Sequence, residues 1–260
     1  MTAQSTEATA RVVRSNDRYD SRLRPLKALR ALRRLIANPE DNSQVFEIMR
    51  ALNGRAMERG YKRLISSQRG GAQAFGHRDL AQLLNDRAFM AGLPIGSVGR
   101  AYVSFMAREK LSTQDLVRSS LEPRGFMIDI DHPYAWFGRR VRDVHDIWHV
   151  LTGYGREPLG ELCLTAFSYP QTGALGWACI TLGGMAALAV RPGGGAALAA
   201  IVEAWLRGLR ARWLMHEDYE QLLAEPLSSA RMRLRLGAPA RYATLSPAFR
   251  NAFFASQVRP

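Results

Sequence analysis

The longest apolar run in the chain is LCLTAFSYPQTGALGWACITLGGMAALAV, residues 162–190, which contains no charged side chain. A membrane-spanning helix needs about 20 continuous apolar residues. The segment YPQTG (169–173) interrupts the run near its start, and the stretch that follows, 174–190, holds three glycines. Because this stretch is short and glycine-rich, we expect a buried central helix rather than a membrane span. The wall of a lipid pocket fits the same pattern, since small residues leave room for a hydrocarbon chain.

Helical signals continue on both sides of this run. Asp41 and Gln44 have the spacing of a capping box, which opens a helix. Pro133 is typical of a first helical turn, and we expect its helix to continue to about Thr152 before Gly153. Alternating apolar and polar strand patterns are nearly absent, and the chain has no internal repeat. The sequence therefore predicts an all-α, single-domain helical bundle with a buried apolar central helix.

The ends of the chain and its glycine-rich segments set the expected domain bounds. Residues 1–20 lack the apolar core of a secretory signal peptide, and their acidic residues weigh against a mitochondrial presequence. We expect a disordered N-terminal tail over 1–20 and one helical domain over 21–260. Residues 59–77 include Gly70-Gly71 and Gly76, and we expect them to form a loop.

Composition narrows the functional classes. The chain has 260 residues, 36 lysines and arginines against 23 acids, and a net charge of +13. No arrangement of basic and aromatic residues indicates nucleic-acid binding, so we expect no nucleic-acid partner. With only two cysteines, Cys163 and Cys179, a disulfide framework is excluded.

A basic amphipathic helix is predicted shortly after the tail. Six apolar residues recur at helical spacing from Leu23 to Ile36, and six basic residues fill the other positions. One interpretation is a helix that lies on an anionic membrane surface. The other, which we favour, is a helix that packs its leucines on the core and leaves its arginines in water.

The strongest chemical signal is a cluster of imidazoles and carboxylates. His145 and His149 are four residues apart, so they lie only about 40° apart around a helix, with Asp146 on the same side. Glu161 follows the next turn, where a second helix can fold back antiparallel. Such a set of side chains can bind zinc, iron or manganese. The alternative is a hydrogen-bonded structural cluster.

At these residues the chain resembles a known family. His145-Asp146-x-x-His149, followed after eleven residues by Glu161, is similar to the motif of the ubiquinone (coenzyme Q) biosynthesis protein 4 family. Segments around Leu93-Pro94 and Asp218-Tyr219-Glu220 also look like family landmarks, and the resemblance covers about residues 23–236.

The resemblance implies a divalent metal, proposed to be zinc, at His145, Asp146, His149 and Glu161, and a pocket for a polyprenyl lipid. It implies oxidative removal of the ring carboxylate at C1 with hydroxylation there, which would make these four residues catalytic. It also implies that the protein organises other ubiquinone-biosynthesis proteins. The chain would fit a bacterial member of the family. Such a member would lie either in the cytoplasm or peripherally on the cytoplasmic side of the inner membrane.

Residues around the cluster complete the hypothesis. We expect the polyprenylated quinone precursor to contact five residues near the cluster and in the apolar run: Arg142, Trp148, Gly176, Gly183 and Gly184. A non-catalytic lipid-binding scaffold is one alternative. A metal-dependent hydrolase is a second, although only His216 and Asp218 are available downstream as further ligands. Metal identity stays open between zinc, iron and manganese, and a homo-oligomer is a further expectation.

Overall fold

The computed structural model describes residues 21–38, 41–76, 79–109 and 132–252. The expected tail over 1–20 lies outside these residues. Within them the chain forms sixteen α-helices and no strand, apart from one isolated bridge between Ser97 and Pro226. The predicted all-α class is confirmed.

The helices of the first half are α1 (Pro25–Ala37), α2 (Asn42–Leu52), α3 (Ala56–Ile65), α4 (Gln68–Phe75), α5 (Leu80–Asn85), α6 (Arg87–Gly92) and α7 (Val98–Arg108). The second half contains α8 (Pro133–Asp143), α9 (His145–Thr152), α10 (Pro158–Thr172), α11 (Leu175–Ala189), α12 (Gly194–Arg210), α13 (Tyr219–Ala224), α14 (Leu227–Arg233), α15 (Ala240–Ala243) and α16 (Pro247–Asn251). A single 3-10 turn, Leu214–His216, lies between α12 and α13.

Local sequence explains where many helices begin and end. Asp41 caps α2 by accepting from Ser43 N, and Asp79 caps α5 by accepting from the amides of its first turn. Gly153 ends α9 and Gly173 ends α10, both in the left-handed conformation, with φ of 80° and 65°. Such a φ is strained for residues with a Cβ atom, so glycine favours these two ends.

Two local expectations are wrong. Residues 59–77 were expected to be a loop, but they contain most of α3 and all of α4. Ser67 caps α4 through Gly70 N, and Gly70 packs directly against the Leu64 carbonyl, so this glycine allows close packing rather than a loop. The helix expected from Pro133 to Thr152 is divided at Val144, whose backbone stays near helical values (φ −79°, ψ −12°).

The central buried helix is α10, not the 174–190 segment. Residues 162–168 of α10 are buried, and this helix packs against both α11 and α12. In α11, Leu182 is 65% exposed and Val190, just beyond its end, is 85% exposed. No helix among the described residues is long and apolar enough to cross a membrane.

The basic helix α1 only partly follows the favoured interpretation. Its buried residues are Ala28 and Ala31, and Leu32 and Leu35 pack partly against the core. The other leucines of α1, Leu26 and Leu29, are exposed, as is Leu23, which lies before the helix begins. The expectation that the leucines of this amphipathic segment face the core is therefore wrong for these three.

Candidate metal centre

Two consecutive helices bring the predicted cluster together. His145, Asp146 and His149 lie on α9, an eight-residue helix. Gly153 ends that helix, and Pro158 begins α10 after a short connection, which places Glu161 in the first turn of α10. Because the turn reverses the chain, the start of α10 returns to α9. All four predicted residues therefore meet at one junction.

The ligand atoms are close to each other. Glu161 Oε2 lies 3.3 Å from His145 Nε2, and Glu161 Oε1 lies 3.4 Å from His149 Nε2. The ligand atoms of His145, Asp146 and His149 all lie within 4.8 Å of one another. One carboxylate thus spans two imidazoles, with a second carboxylate, that of the buried Asp146, beside them.

The His149 ring is held in one orientation. Its Nδ1 atom lies 3.1 Å from the carbonyl oxygen of Tyr154, and Phe105 stacks on the ring with centroids 5.4 Å apart. A ring that donates from Nδ1 presents the lone pair of Nε2, which is the form that binds metals. The Nε2 atom is buried and makes no hydrogen bond to the described residues.

The electrostatics of the junction couple His149 to Glu161. Burial alone would lower the pKa of His149, but the Glu161 carboxylate outweighs that effect and the pKa is raised. Loss of water alone would raise the pKa of Glu161, but the His149 and His145 rings hold that pKa well below its ordinary range. The carboxylate is therefore ionised at neutral pH.

One side of the junction is open to solvent. The His145 side chain is 20% exposed and that of Glu161 is 32% exposed, whereas His149 is fully buried. Trp177 of α11 stacks on the His145 ring, with centroids 5.9 Å apart and planes within 9°. Arg156 donates from Nε to Glu161 Oε1 at 3.2 Å. Solvent therefore reaches the cluster from the side of His145 and Glu161.

Sequence reasoning did not find Arg156, Trp177, Phe105 or Tyr154. Arg156 lies only five residues before Glu161, so its spacing was a usable signal. Trp177 was hidden in the apolar run, and Phe105 is distant in sequence, so neither had a local signal.

Two of the residues predicted to contact substrate, Arg142 and Trp148, form hydrogen bonds with other side chains of the protein. Arg142 donates from Nε to Asp143 Oδ1 at 2.7 Å; Asp143 is buried and Arg142 is partly buried. Burial raises the pKa of Asp143, even though Arg142 opposes that shift. Trp148 is buried and donates from Nε1 to Tyr219 Oη at 2.8 Å. Neither contact involves the cluster, and substrate contact by Arg142 and Trp148 stays a prediction.

The three predicted glycines lie at close contacts between helices. A Cβ atom on Gly183 would lie 2.7 Å from Leu32 of α1, and one on Gly184 would lie 2.5 Å from Leu162 of α10. At Gly176 it would meet the Sδ atom and backbone of Met49. Side chains of this protein fill the space, so a prenyl chain would have to displace them. Their role in substrate binding stays a prediction.

The residues that a hydrolase would use are engaged elsewhere. His216 Nε2 lies 2.6 Å from Ser67 Oγ, and Asp218 caps α13 by accepting from Glu220 N. Nothing in the described structure adds either residue to the cluster, so the hydrolase alternative gains no support.

The fold and the site together define the class of this protein: it is all-helical, and two histidines and two carboxylates form a candidate metal centre where two helices meet. Sequence comparison identifies the family. The model of the family described as coenzyme Q (ubiquinone) biosynthesis protein Coq4 matches residues 25–240, and the chain belongs to this family. The predicted family resemblance is confirmed.

Individual relatives share about 30% sequence identity with this chain. The mitochondrial ubiquinone biosynthesis protein COQ4 homologue of Rattus norvegicus is 29% identical over 175 residues, which cover 66% of this chain and 63% of the relative. The homologue of Nematostella vectensis is 30% identical over 155 residues, or 58% of this chain and 71% of the relative. This chain thus spans less than two thirds of the rat protein.

A solved structure shows the same fold. The crystal structure of a Nostoc punctiforme PCC 73102 protein, provisionally assigned to ubiquinone biosynthesis, superposes with a TM-score of 0.60. The match covers 83% of this chain and all of that chain, at 19% identity. This similarity establishes the fold alone.

Proposed function

We propose that this protein acts in ubiquinone biosynthesis as a metal-dependent enzyme. In the proposed reaction the C1 carboxyl group of a polyprenylated benzoate-type precursor leaves as CO2 and a hydroxyl group takes its place. O2 would be the two-electron oxidant, with one water consumed and one hydrogen peroxide released. The observation that carries the proposal is the Glu161 carboxylate, which spans His145 Nε2 and His149 Nε2 at 3.3 and 3.4 Å.

The donor set fits a divalent metal in spacing and in charge. Ligands about 2.0–2.1 Å from a tetrahedral metal lie about 3.3–3.4 Å from each other. The two distances from Glu161 to the histidines match that separation. Asp146 and Glu161 carry two negative charges, which a divalent ion would balance. The buried Nε2 atom of His149 makes no hydrogen bond among the described residues and has only the Glu161 carboxylate, another proposed ligand, beside it at 3.4 Å.

The residues around the cluster have separate roles in the proposal. Iron or manganese would supply redox chemistry with oxygen, whereas zinc would supply a Lewis acid only. Arg156, 29% exposed beside Glu161, provides a cation that can attract the precursor carboxylate. The Trp177 ring forms one wall for the aromatic head. We place the prenyl tail along α11, which has no charged residue.

The first test is metal analysis of protein purified without a metal-affinity tag, with His149→Ala beside it. We expect near-stoichiometric metal in the wild type and loss of most of it in the variant. His216→Ala is the matched control, because this histidine lies outside the cluster, and it should keep the metal. Absence of metal from the wild type after incubation with zinc, iron or manganese would refute the metal assignment.

The chemistry needs its own assay. A polyprenylated hydroxybenzoate labelled at its carboxylate carbon should release labelled CO2 with the metal-loaded protein and oxygen. Metal-loaded protein with no CO2 release would favour the scaffold alternative instead. One observation supports that alternative: the ligands lie on two helices, α9 and α10, so a metal would also join these helices structurally. In either case, other ubiquinone-biosynthesis proteins are the proposed partners.

An exposed apolar surface supports peripheral membrane binding. On α11 the exposed residues Leu175 and Leu182 share one face, because they are separated by about two helical turns, and the exposed Val190 follows directly after the helix. A helix that is apolar all round is normally buried on all sides. An exposed face of this kind indicates a binding surface.

Neighbouring helices extend this surface. Leu32 of α1 contacts Gly183 of α11, and the exposed Leu26 and Leu29 continue from Leu32 around α1. α11 also packs against α12, which exposes Trp205. We call the exposed apolar residues of these three helices, together with Val190 after α11, the apolar face: Leu26, Leu29, Leu175, Leu182, Val190, Val202, Trp205 and Leu209.

Charge decides which occupant we propose for the apolar face. Four basic residues, Lys27, Arg30, Arg33 and Arg34, lie on the same helix α1 as Leu26 and Leu29, and the whole chain carries a net charge of +13. A symmetric dimer through this face would bring the basic helices of two copies together, which is unfavourable. An anionic bilayer complements both the leucines and the arginines. We therefore propose that this face binds anionic lipid, at the inner membrane in a bacterial cell.

Vesicle sedimentation tests this surface. We expect the wild type to bind phosphatidylglycerol vesicles, and Leu182→Glu to bind about tenfold more weakly because it places a charge in the acyl region. Met232→Glu is the matched control, since Met232 is 80% exposed on α14, away from the apolar face. A stable dimer that Leu182→Glu dissociates, with no vesicle binding by the wild type, would instead assign the face to a second copy.

A further inference from the structure

Every backbone carbonyl in the last turn of α9 has a hydrogen-bond donor. A helix leaves its last four carbonyls without partners inside the helix. Gly153 N donates to the first of them, that of His149, at 2.9 Å. The other three carbonyls, those of Val150, Leu151 and Thr152, accept from arginine side chains. These arginines come from helices much later in the chain.

The two arginines divide the three carbonyls between them. Arg231 of α14 donates from Nη2 to Val150 O at 2.8 Å and from Nε to Leu151 O at 3.0 Å. Arg207 of α12 donates from Nη2 to Thr152 O at 2.9 Å. Together they fix the carboxyl end of the helix that carries three of the four cluster residues.

Arg207 also reaches the turn that orients His149. Its guanidinium group lies 4.9 Å from the centroid of the Tyr154 ring, and it donates to Gly237 O as well. Tyr154 is the residue whose carbonyl oxygen lies 3.1 Å from His149 Nδ1. Arg207 therefore contacts Thr152 and Tyr154, on both sides of Gly153, and limits how far the Tyr154 carbonyl can move.

The burial of Arg207 is costly for a purely structural residue. The side chain is only 8% exposed, and its Nε and Nη1 atoms make no hydrogen bond to described residues. A buried charge of this kind is often replaced by apolar packing without loss of stability. The negative end of the α9 dipole and the face of Tyr154 compensate part of the cost. Burying Arg207 therefore fixes the position of the end of α9, at a cost to the stability of the folded protein.

We propose that Arg207 and Arg231 are positioning residues for the metal centre. They hold the end of α9 and the following turn so that His149 Nδ1 donates to Tyr154 O and Nε2 points toward Glu161. This inference rests on the proposed metal function, because the aim of the arrangement is to present Nε2 as a ligand. Groups that orient a ligand histidine typically change metal affinity 10–100-fold when mutated.

The test compares Arg207→Lys and Arg231→Lys with Arg233→Lys. Arg233 is a matched control on α14, because it pairs with Glu217 and Glu225 and forms no hydrogen bond or ion pair with α9 among the described residues. Zinc affinity, measured by competition with a chelator, should fall about 10–100-fold in the first two variants and change less than about twofold in the control. Unchanged affinity in both cluster-side variants would overturn the inference.

A second measurement separates this inference from the proposed function. Nitrogen-15 NMR of the metal-free protein reports which nitrogen of His149 carries the hydrogen-bonded proton. We expect a Nδ1 proton in the wild type and in Arg233→Lys, and a mixture of forms in Arg207→Lys. If the wild type binds no metal, the metal proposal fails, and the NMR result still decides whether Arg207 orients His149. Lower melting temperatures with an unchanged His149 signal and unchanged zinc affinity would show a purely structural role.

Discussion

Helices α10 and α12 are in tight contact at Gly208, and substitution there tests the packing of the central helix. A Cβ atom on Gly208 would lie 2.5 Å from the carbonyl oxygen of Phe167 and 2.7 Å from Cγ of Pro170. The first of these is backbone, which cannot rotate away. The alanine in Gly208→Ala would therefore push α10 and α12 apart.

The magnitude follows from two opposing effects. Glycine in a helix interior costs about 0.5–1 kcal/mol relative to alanine, so the substitution gains that amount. Overpacking a tight core site costs about 1–3 kcal/mol. We expect Gly208→Ala to lower the free energy of unfolding by about 1–2 kcal/mol. For a protein of this size that corresponds to a fall in Tm of about 2–8 °C.

Gly195 provides a control on the same helix. A Cβ atom there would meet nothing within 4 Å, so Gly195→Ala should be neutral or stabilise by up to about 1 kcal/mol. Urea unfolding followed by far-ultraviolet circular dichroism measures both variants. A Gly208→Ala protein as stable as the wild type, or both variants shifted in the same direction by the same amount, would refute the packing argument.

Three further predictions concern single side chains. Burial and the Glu157 carboxylate raise the pKa of Tyr242 to about 12, so the stabilising contribution of Tyr242 is complete below pH 10 and lost as pH rises toward 12. The free energy of unfolding should therefore fall less steeply with pH in Tyr242→Phe than in the wild type over this range, and equal slopes in the two proteins would contradict this. Cys163 is fully buried, and burial raises the pKa of its thiol. Ellman's reagent should therefore label the half-buried Cys179 first in the native protein, and equal labelling rates for the two cysteines would contradict the burial of Cys163. Trp148→Phe removes the hydrogen bond to Tyr219 and should cost about 1–2 kcal/mol in urea unfolding, whereas a neutral substitution would show that the bond contributes nothing net.

The cluster was predictable because its four residues lie within one short segment of the sequence. His145, Asp146 and His149 share one side of a helix by spacing alone, and Gly153 marks the turn that returns Glu161 to them. The helical class was predictable for the same reason, since helical periodicity repeats over short segments. The structure therefore confirms that the four residues converge, although the metal itself stays a proposal.

What the sequence could not predict depends on which helices become neighbours. The glycines of 59–77 indicate a loop when considered alone, but Gly70 serves close packing against Leu64. The apolar run could not show which of its two helices is central, because both are uncharged. Burial of α10 depends on α12 packing over it, which is a long-range contact. Arg207 and Arg231 were missed for the same reason, since their carbonyl partners are 55 and 80 residues away.

The contacts at the end of α9 have a consequence for how the protein matures during synthesis. All four cluster residues emerge from the ribosome within a short segment, 145–161, whereas the guanidinium groups that hold this segment emerge only at positions 207 and 231. A nascent chain that stops before α12 has every ligand but lacks the side chains that keep the turn in place. At the proposed metal centre, early metal capture would thus be weak and reversible, and tight binding would require a chain that extends through α14.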